Sequence, residues 1–409
     1  MMSASGAILF LLAAFATAAI WNSDPLIAWC YEIALFSLVT VQCLLHAARV
    51  PRIPLLCLGL GVWGFGQLAL GATVYRYATL NAALQNLALS ATALGAFLAF
   101  QTPASRVAFV NWFRWFGATV GVVGGLAYWT SPGRILWLFP AAYHDNWGPF
   151  PSRNNFAQFL ELCFPVALYE LSRRSRWIEA IPPVLMLGAG LASSSRAGAA
   201  ILIAEAVAGW MLMRRGARAK RGLRIRGRAV AFALLVAAVS ALAGGDRLIK
   251  RFAEPDPFAG RREIFHAAEG MIASRPWSGF GLGTFASVYP EFAEFDDGAS
   301  VEHAHNDWLE WTAEGGIFYA ALWASLAAWA ARRALRSPWS LGVIAVFAHA
   351  TVDYPFARLG VSAWAFMLLG AAAGAHSAGR ARQAGTQSGP AALCAMFTEE
   401  AIGEEKNRA

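Results

Sequence analysis

Residues 301–316, VEHAHNDWLEWTAEGG, concentrate side chains that can move protons or bind a metal ion. His303 and His305 stand two positions apart among four acidic residues. An H-x-H pair with carboxylates could bind a metal ion, but no third ligand stands at a spacing typical of such a site. Loop hydrogen bonding is a second alternative for His305. We favour a third, in which neutral His305 is a general base that accepts a proton from an attacking hydroxyl.

Arginines supply the complementary charge. Guanidinium groups bind phosphate oxygens in a bidentate fork, so arginines beside apolar helices suit a ligand with one apolar end and one anionic end, such as a polyprenyl diphosphate. Pairing with lipid headgroups or with nearby acids is the alternative for each of them. Those in the short loops on one side of the predicted membrane are Arg76, Arg134, Arg153, Arg196 and Arg358.

Two stretches hold arginines at well-defined positions. SSSRAG fixes Arg196 in a tight turn between two apolar segments. Arg261 and Arg262 open RREIFHAAEGMIASRP, whose apolar residues recur at helical spacing. Both arginines would then lie at a helix N-terminus, where free backbone N–H groups also favour anions. The apolar positions of this helix are Ile264, Phe265, Ala268, Met271 and Ile272.

Membrane helices are the elements that must position these groups. The chain has 409 residues, of which 57% are apolar and 14% charged, whereas soluble globular domains carry about 25% charged residues. Apolar windows of roughly 16 to 22 residues recur along the chain, close to the length of a bilayer-spanning helix. We therefore predict an all-α polytopic membrane protein with about 12 transmembrane helices and a large, partly helical loop between spans nine and ten.

The predicted domain organisation follows from these spans. Residues 1–244 hold transmembrane helices 1 to 9, of which the ninth is 228–244, and residues 313–376 hold helices 10 to 12. Residues 245–312 form the outer loop, which we expect to be catalytic, and residues 377–409 a disordered tail. Lys and Arg concentrate in the loops of the opposite side, so the positive-inside rule places both termini in the cytoplasm. Nucleic acid is not an expected partner, because the cationic stretches are juxtamembrane.

Three stretches resemble the O-antigen ligases and the related O-antigen polymerases of bacterial envelopes. GRREIFHAAEGMIASRPWSGFGLGTF (260–285) is similar to the family's pattern of Gly-Arg, an aromatic residue four positions after the Arg, then Pro and a Gly-rich turn. HAHNDWLEWTAEGG (303–316) resembles its His-Asn signature, with nine residues between the Asn and Gly316. GPFPSRNNFAQFLELCFP (148–165) resembles the stretch that leads into the sixth span.

The resemblance implies a metal-independent, inverting transfer that needs no cofactor. Glycan would move from an undecaprenyl-diphosphate-linked donor to a lipid A-core acceptor, at the periplasmic face of the bacterial inner membrane and among its lipids. By motif position, His305 would be the catalytic base, and Arg261 and Arg196 would bind the diphosphate. Arg262 and His303 are neighbours that could share or swap these roles. Secondary candidates are Arg153, Asn306 and Asp353.

Other functions remain open from the sequence. The ligase signature usually has Gly, Thr or Val where this chain has Tyr319, so an O-antigen polymerase and a protein O-oligosaccharyltransferase stay as alternatives. A transporter or flippase is another class, because Glu32, Glu161 and Glu205 fall inside predicted spans and intramembrane carboxylates are commonly functional. The two halves of the chain show no internal repeat that would support transport.

Overall fold

The computed structural model shows a mostly helical chain, as the sequence predicts. The predicted ninth span, 228–244, and the end of the predicted tail, 386–409, lie outside the residues that the structure describes. The described residues are 2–22, 24–45, 50, 52–141, 145–174, 176–216, 245–254, 258–294, 298 and 300–385.

Fourteen helices lie within the described residues. In chain order they are α1 (Ala4–Ala18), α2 (Pro25–Leu45), α3 (Arg52–Ala69), α4 (Arg76–Ala99), α5 (Pro103–Thr130), α6 (Arg153–Arg173), α7 (Ile181–Ala192), α8 (Arg196–Gly216), α9 (Gly245–Phe252), α10 (Arg262–Ser274), α11 (Phe285–Phe292), α12 (Asp307–Ala334), α13 (Pro338–His349) and α14 (Leu359–Gly385). Short 3₁₀ turns, Trp177–Ala180 and Ala259–Arg261, precede α7 and α10. Strands β1 (Arg134–Ile135) and β2 (Phe139–Pro140) form an antiparallel hairpin.

The helix lengths and surfaces fit an all-α, multi-pass membrane protein. Among the described helices, α2, α3 and α4 are both long enough and apolar enough to cross a membrane, and four shorter apolar helices accompany them. Large apolar side chains cover the outside of the bundle: Ile33 is 68% exposed and Leu70 is 84% exposed. Helix α14 runs to Gly385, past position 377, where the sequence predicts the tail to begin. Its alanine-rich end favours helix.

Helices α6 and α14 form the centre of the bundle. Every residue of α6 from Asn155 to Leu168 is buried, and so is every residue of α14 from Gly360 to Gly374. A helix that is buried on all sides must be covered by other helices, and α6 contacts α5, α7, α8 and α13. The first turn of α6 is therefore held rigidly at the end of the bundle where α13 ends and α14 begins.

Glycines join the loop region to α12. Helix α12 kinks at Gly316, whose φ of 72° is in the left-handed region, and a Cβ there would lie 2.1 Å from the Trp277 carbonyl oxygen. The Gly-rich segment 279–283 packs on the same kink, because the N–H groups of Phe280 and Gly281 donate to α12 carbonyls at 3.1 and 2.9 Å. The prediction that these glycines form turns is confirmed, and the kink requires glycine.

Helix α10 docks on α12 through the apolar face that its sequence predicts. Ile264, Ala268 and Met271 are buried together with side chains of α11 and the start of α12. This packing places the N-terminus of α10, with its two arginines, beside the segment that carries the histidines.

Candidate active site

His305 lies immediately before α12. The sequence favours an N-cap at Asn306 or Asp307. The side chain of Asn306 accepts hydrogen bonds from the N–H groups of Trp308 and Leu309 at 3.0 and 3.2 Å, so Asn306 is the N-cap. His305 itself has a φ of 51°, a left-handed conformation that is uncommon outside glycine and is often found at functional sites. The N–H of Asp307 donates to the carbonyl groups of Ala350 and Asp353, so the loop after α13 fixes the start of α12.

Asp353 is the carboxylate nearest to His305. Its Oδ1 lies 3.5 Å from Nδ1 of His305, and the side chain of Asp353 is only 2% exposed. The other oxygen, Oδ2, accepts a hydrogen bond of 3.2 Å from the Gln158 amide. The Asn155 amide in turn donates to Oε1 of Gln158 at 2.8 Å, and so fixes which way the Gln158 amide points. Helix α6 thereby positions the carboxylate that faces His305.

Arg261 contacts the same loop. It is the N-cap residue of α10, and its guanidinium donates to the carbonyl of Val352, next to Asp353. Burial by itself would raise the pKa of Asp353, but the His305 imidazole and the positive charge of Arg261 hold that pKa below its usual range. Asp353 is therefore ionised at neutral pH. Arg262 follows Arg261 as the first residue of α10 and is exposed.

His303 forms a separate pair with Glu310. Its Nδ1 lies 2.9 Å from Oε1 of Glu310, whose other oxygen accepts from the N–H of Ala304 at 2.7 Å. Burial would lower the pKa of His303, but the Glu310 carboxylate outweighs burial and raises it. A raised pKa favours His303 as a cation over His303 as a base. The Tyr354 ring stacks on His303 at 4.4 Å and meets His305 edge-on at 4.9 Å.

Arg153, Arg196 and Arg251 form an arginine cluster. Arg153 pairs with Asp145. Arg196 donates to the Arg251 carbonyl at 3.0 Å and to Glu254 at 2.9 Å. Burial and the charges of Arg153 and Arg196 lower the pKa of Arg251, and its Nε is buried without a hydrogen bond among the described residues. Three guanidinium groups against two carboxylates leave this cluster cationic.

The arginine cluster and His305 share helix α6. Arg153 is its first residue, and Gln158, which holds Asp353, follows five positions or about 7.5 Å of helix rise later. The Ser195 hydroxyl donates to Asn154 at 2.8 Å and so ties the turn before Arg196 to the same end of α6. That turn is tight, as predicted, with Ser194 at a φ of 58°. The structure thus brings the predicted histidines and arginines to one end of the bundle.

The two histidines do not converge on one point that suits a metal ion. His303 faces Glu310 and His305 faces Asp353. Within the described residues, no group of three or more His, Cys, Asp or Glu side chains could hold a metal ion.

The comparisons with known proteins bear on the same segment. A family model described as O-antigen ligase matches residues 183–324, which include Arg196, Arg261 and His305. Over this segment the chain is similar to the O-antigen ligase family. No curated protein and no solved structure matches the chain. Members of the O-antigen ligase family transfer glycosyl groups, and the family implies a lipid-linked polysaccharide donor and a lipid acceptor in general terms.

Residues outside the O-antigen ligase match complete the site. Sequence reasoning missed two of them, Gln158 and Tyr354. The i, i+3 spacing of Asn155 and Gln158 was a usable signal, because it puts two amides on one face of α6. Nothing in the sequence pairs either amide with Asp353, 195 positions from Gln158.

The Gly-rich turn has a structural role. A helix, α11, follows it. The carboxylate of Glu314 already accepts hydrogen bonds from the N–H groups of Gly283 and Phe285, both at 2.8 Å. The protein's own carboxylate therefore occupies the place that a phosphate would take.

Proposed function

We propose that this protein is an O-antigen ligase that transfers glycan from undecaprenyl diphosphate to a hydroxyl of a lipid A-core oligosaccharide. The transfer is metal-independent and inverts the anomeric centre. One observation carries the proposal: His305 lies against the buried, ionised Asp353, in the loop region that the Arg261 guanidinium also contacts.

The orientation of the His305 imidazole determines which of its two nitrogens acts as the base. Because Nδ1 of His305 faces Asp353, Nε2 is the nitrogen that accepts the proton of the acceptor hydroxyl. The hydroxyl oxygen then forms the bond to the anomeric carbon, and the bond from that carbon to the phosphate oxygen breaks with its electron pair on the diphosphate. A single displacement inverts the anomeric configuration. Asp353 stabilises the imidazolium as it forms.

The leaving diphosphate gains negative charge during this step, and cations placed in advance stabilise it. Arg261 and the arginine cluster are the groups for this role. Arg153 and Arg196 are paired with single carboxylates in the free protein, and a diphosphate carries more charge than either carboxylate. The Glu310 carboxylate raises the pKa of His303 and so favours its cationic form, which adds positive charge on the side of His305. Arg262 is an exposed neighbour at the same helix N-terminus.

The proposed location follows the predicted topology. The bundle lies in the bacterial inner membrane with both termini in the cytoplasm, and the end of the bundle that holds His305 faces the periplasm. A site at this boundary suits a donor with a lipid tail and a polar acceptor. The apolar outer surface of the helices supports a bilayer environment.

Reconstituted transfer tests the proposal. Purified protein in nanodiscs receives a synthetic undecaprenyl-diphosphate glycan and a lipid A-core acceptor, with and without EDTA. We expect equal product with the chelator, and no product from His305→Ala or Arg261→Ala. Matched controls are His266→Ala and Arg76→Ala, because both side chains are exposed and neither contacts the site. Inhibition by EDTA would overturn the metal-free mechanism.

The same assay separates the ligase from its alternatives. Growth of glycan chains from the donor alone identifies a polymerase, and transfer to a Ser or Thr peptide identifies a protein O-oligosaccharyltransferase. One observation favours the transport alternative: Glu161 and His349 form a fully buried pair at 2.7 Å. If Glu205→Gln abolishes function while the His305→Ala variant stays active, the protein is a transporter and not a ligase.

A further inference from the structure

A small pocket opens where the end of α1, the start of α2, α4 and the start of α14 meet. Its volume is about 160 Å³, about five times the share of one water molecule in the liquid, so it holds one sugar ring or one headgroup. Apolar side chains form much of its wall, among them Ile20, Ile27 and Leu359. We call it the α1–α14 pocket; its polar side chains are Asn22, Asp24, Gln85 and Arg358.

Arg358 is the cationic side chain that lines the α1–α14 pocket. Its guanidinium lies 5.1 Å from the centre of the Tyr354 ring, and Nη2 lies 3.4 Å from the Tyr354 hydroxyl. Among the described residues, no carboxylate pairs with Arg358, and its Nε is buried without a hydrogen bond. A half-buried guanidinium without an anion leaves part of its desolvation cost uncompensated. Arg153 and Arg196, by contrast, each pair with a carboxylate.

The other polar groups suit hydroxyls. The half-buried Gln85 side chain forms no hydrogen bond within the described part of the chain and can both donate and accept. Asn22 uses its oxygen to accept from the N–H of Asp24 at 2.9 Å, which leaves its amide N–H₂ to donate. The Asp24 carboxylate accepts from the N–H of Leu26 at 2.9 Å and can accept again from a hydroxyl. The pocket therefore holds one cation, Arg358, and one carboxylate, Asp24, which the N–H of Leu26 already engages. A sugar with one anionic group can place that group at Arg358 and a hydroxyl at Asp24.

Tyr354 connects the α1–α14 pocket to the proposed base. The ring that lies under Arg358 also stacks on His303 and meets His305 edge-on. One aromatic ring thus contacts both the cation of the pocket and the two histidines. None of the arginines assigned to the donor lines the pocket: Arg261 contacts the carbonyl of Val352, and Arg153 lies in the first turn of α6. A pocket that the donor arginines do not line is open to the second substrate.

We propose that the α1–α14 pocket binds a phosphorylated or acidic sugar of the acceptor, with Arg358 holding the anionic group. This inference rests on the proposed function, since it assigns the acceptor of the same reaction. It also gives the ligase a source of acceptor specificity that is separate from the donor site.

A comparison of two acceptors tests the pocket. Transfer to a phosphorylated lipid A-core is compared with transfer to the same acceptor after phosphatase treatment, in nanodiscs of zwitterionic lipid. We expect the wild type to prefer the phosphorylated acceptor by about tenfold in KM, the effect of one charged hydrogen-bond partner. Arg358→Gln should abolish this preference and leave the donor KM unchanged. Gln85→Leu should raise the KM of both acceptors, and Arg76→Gln serves as the exposed arginine control.

Other results would overturn the assignment. A structural role of Arg358 through Tyr354 would lower kcat equally for both acceptors and would spare the preference. An effect that follows the anionic phospholipid content of the nanodisc, and not the phosphate of the acceptor, would assign the pocket to a membrane lipid.

A binding measurement keeps the pocket testable apart from the reaction. The Kd of the phosphorylated acceptor is measured in a His305→Ala background, where no turnover occurs. Arg358→Gln should weaken this binding about tenfold. If the wild type transfers no glycan but this loss is seen, the proposed function fails and the pocket stands. If transfer occurs but Arg358→Gln binds normally, the pocket fails and the proposed function stands.

Discussion

Replacing Asp353 with asparagine should slow glycan transfer about 100-fold while the protein stays folded. Asparagine has the same size, and its side-chain oxygen can still accept the hydrogen bond that Gln158 now donates to Oδ2 at 3.2 Å. The change therefore removes mainly the negative charge that lies 3.5 Å from Nδ1 of His305. That charge matters most when His305 has taken the proton of the acceptor and has become a cation.

The magnitude follows from Coulomb's law. Two unit charges about 4 Å apart interact by about 4 kcal/mol at an effective dielectric constant near 20, and by about 1 kcal/mol in water. Asp353 is 2% exposed and His305 is 33% exposed, so this pair lies between the two limits. An interaction of about 2 to 3 kcal/mol corresponds to roughly 30- to 150-fold in rate.

Initial rates in the reconstituted assay measure this effect. A loss of transition-state stabilisation lowers kcat, whereas the donor KM should change less than about threefold. Glu269→Gln is the matched control, because Glu269 lies at the same 3.5 Å from an exposed histidine, His266, away from the site. A kcat for Asp353→Asn within about threefold of the wild type, with thermal stability preserved, would refute the role of Asp353.

Three further predictions concern stability and the donor. A Cβ at Gly316 would lie 2.1 Å from a backbone carbonyl oxygen. Gly316→Ala should therefore lower the free energy of unfolding by about 1–3 kcal/mol and reduce Tm. Gly125→Ala is the control and should leave Tm unchanged, because a Cβ at Gly125 meets nothing within 4 Å. Glu310 raises the pKa of His303 above the ordinary histidine value of 6.5. Their pairing therefore stabilises the fold fully below pH 6.5, and this stabilisation is lost as the pH rises through the raised pKa of His303. Glu310→Gln should therefore lower Tm most at acidic pH, and a Tm difference that grows with pH would contradict this. Arg251→Gln should raise the donor KM about tenfold without affecting the acceptor KM, and an unchanged donor KM would remove this arginine from the diphosphate site.

Local sequence patterns were sufficient for several parts of the site. Asn306 and Asp307 were both candidates for the helix cap because capping depends on residues within three positions, and the structure shows the cap at Asn306. The position of Arg261 at the start of α10 followed in the same way from helical periodicity. The turn-forming glycines between 279 and 283 were recognisable because a positive φ is a local property.

Contacts between distant segments could not be predicted. Gln158 and Asp353 are 195 positions apart, and the two ends of the α1–α14 pocket lie on the first helices and the last helix. Periodicity predicts that α6 is a buried helix but not which residue of another helix each amide will meet. The approximate number of twelve spans and the side of the membrane that holds each loop remain predictions.

The sequence by itself determined the helical, membrane-embedded class of the protein and the chemical groups available to it. The lengths of the apolar segments and the charged residues between them can be read directly from the sequence. The histidine segment and the nearby arginines supply groups that can transfer a proton and bind phosphate. Only the tertiary structure decided which carboxylate each histidine receives. His303 and His305 are two positions apart, yet His303 faces Glu310 on the helix that follows both histidines, α12, and His305 faces Asp353 in the loop after α13. The physical reason is that helix packing, and not spacing along the chain, sets the distances over which charges and hydrogen bonds act.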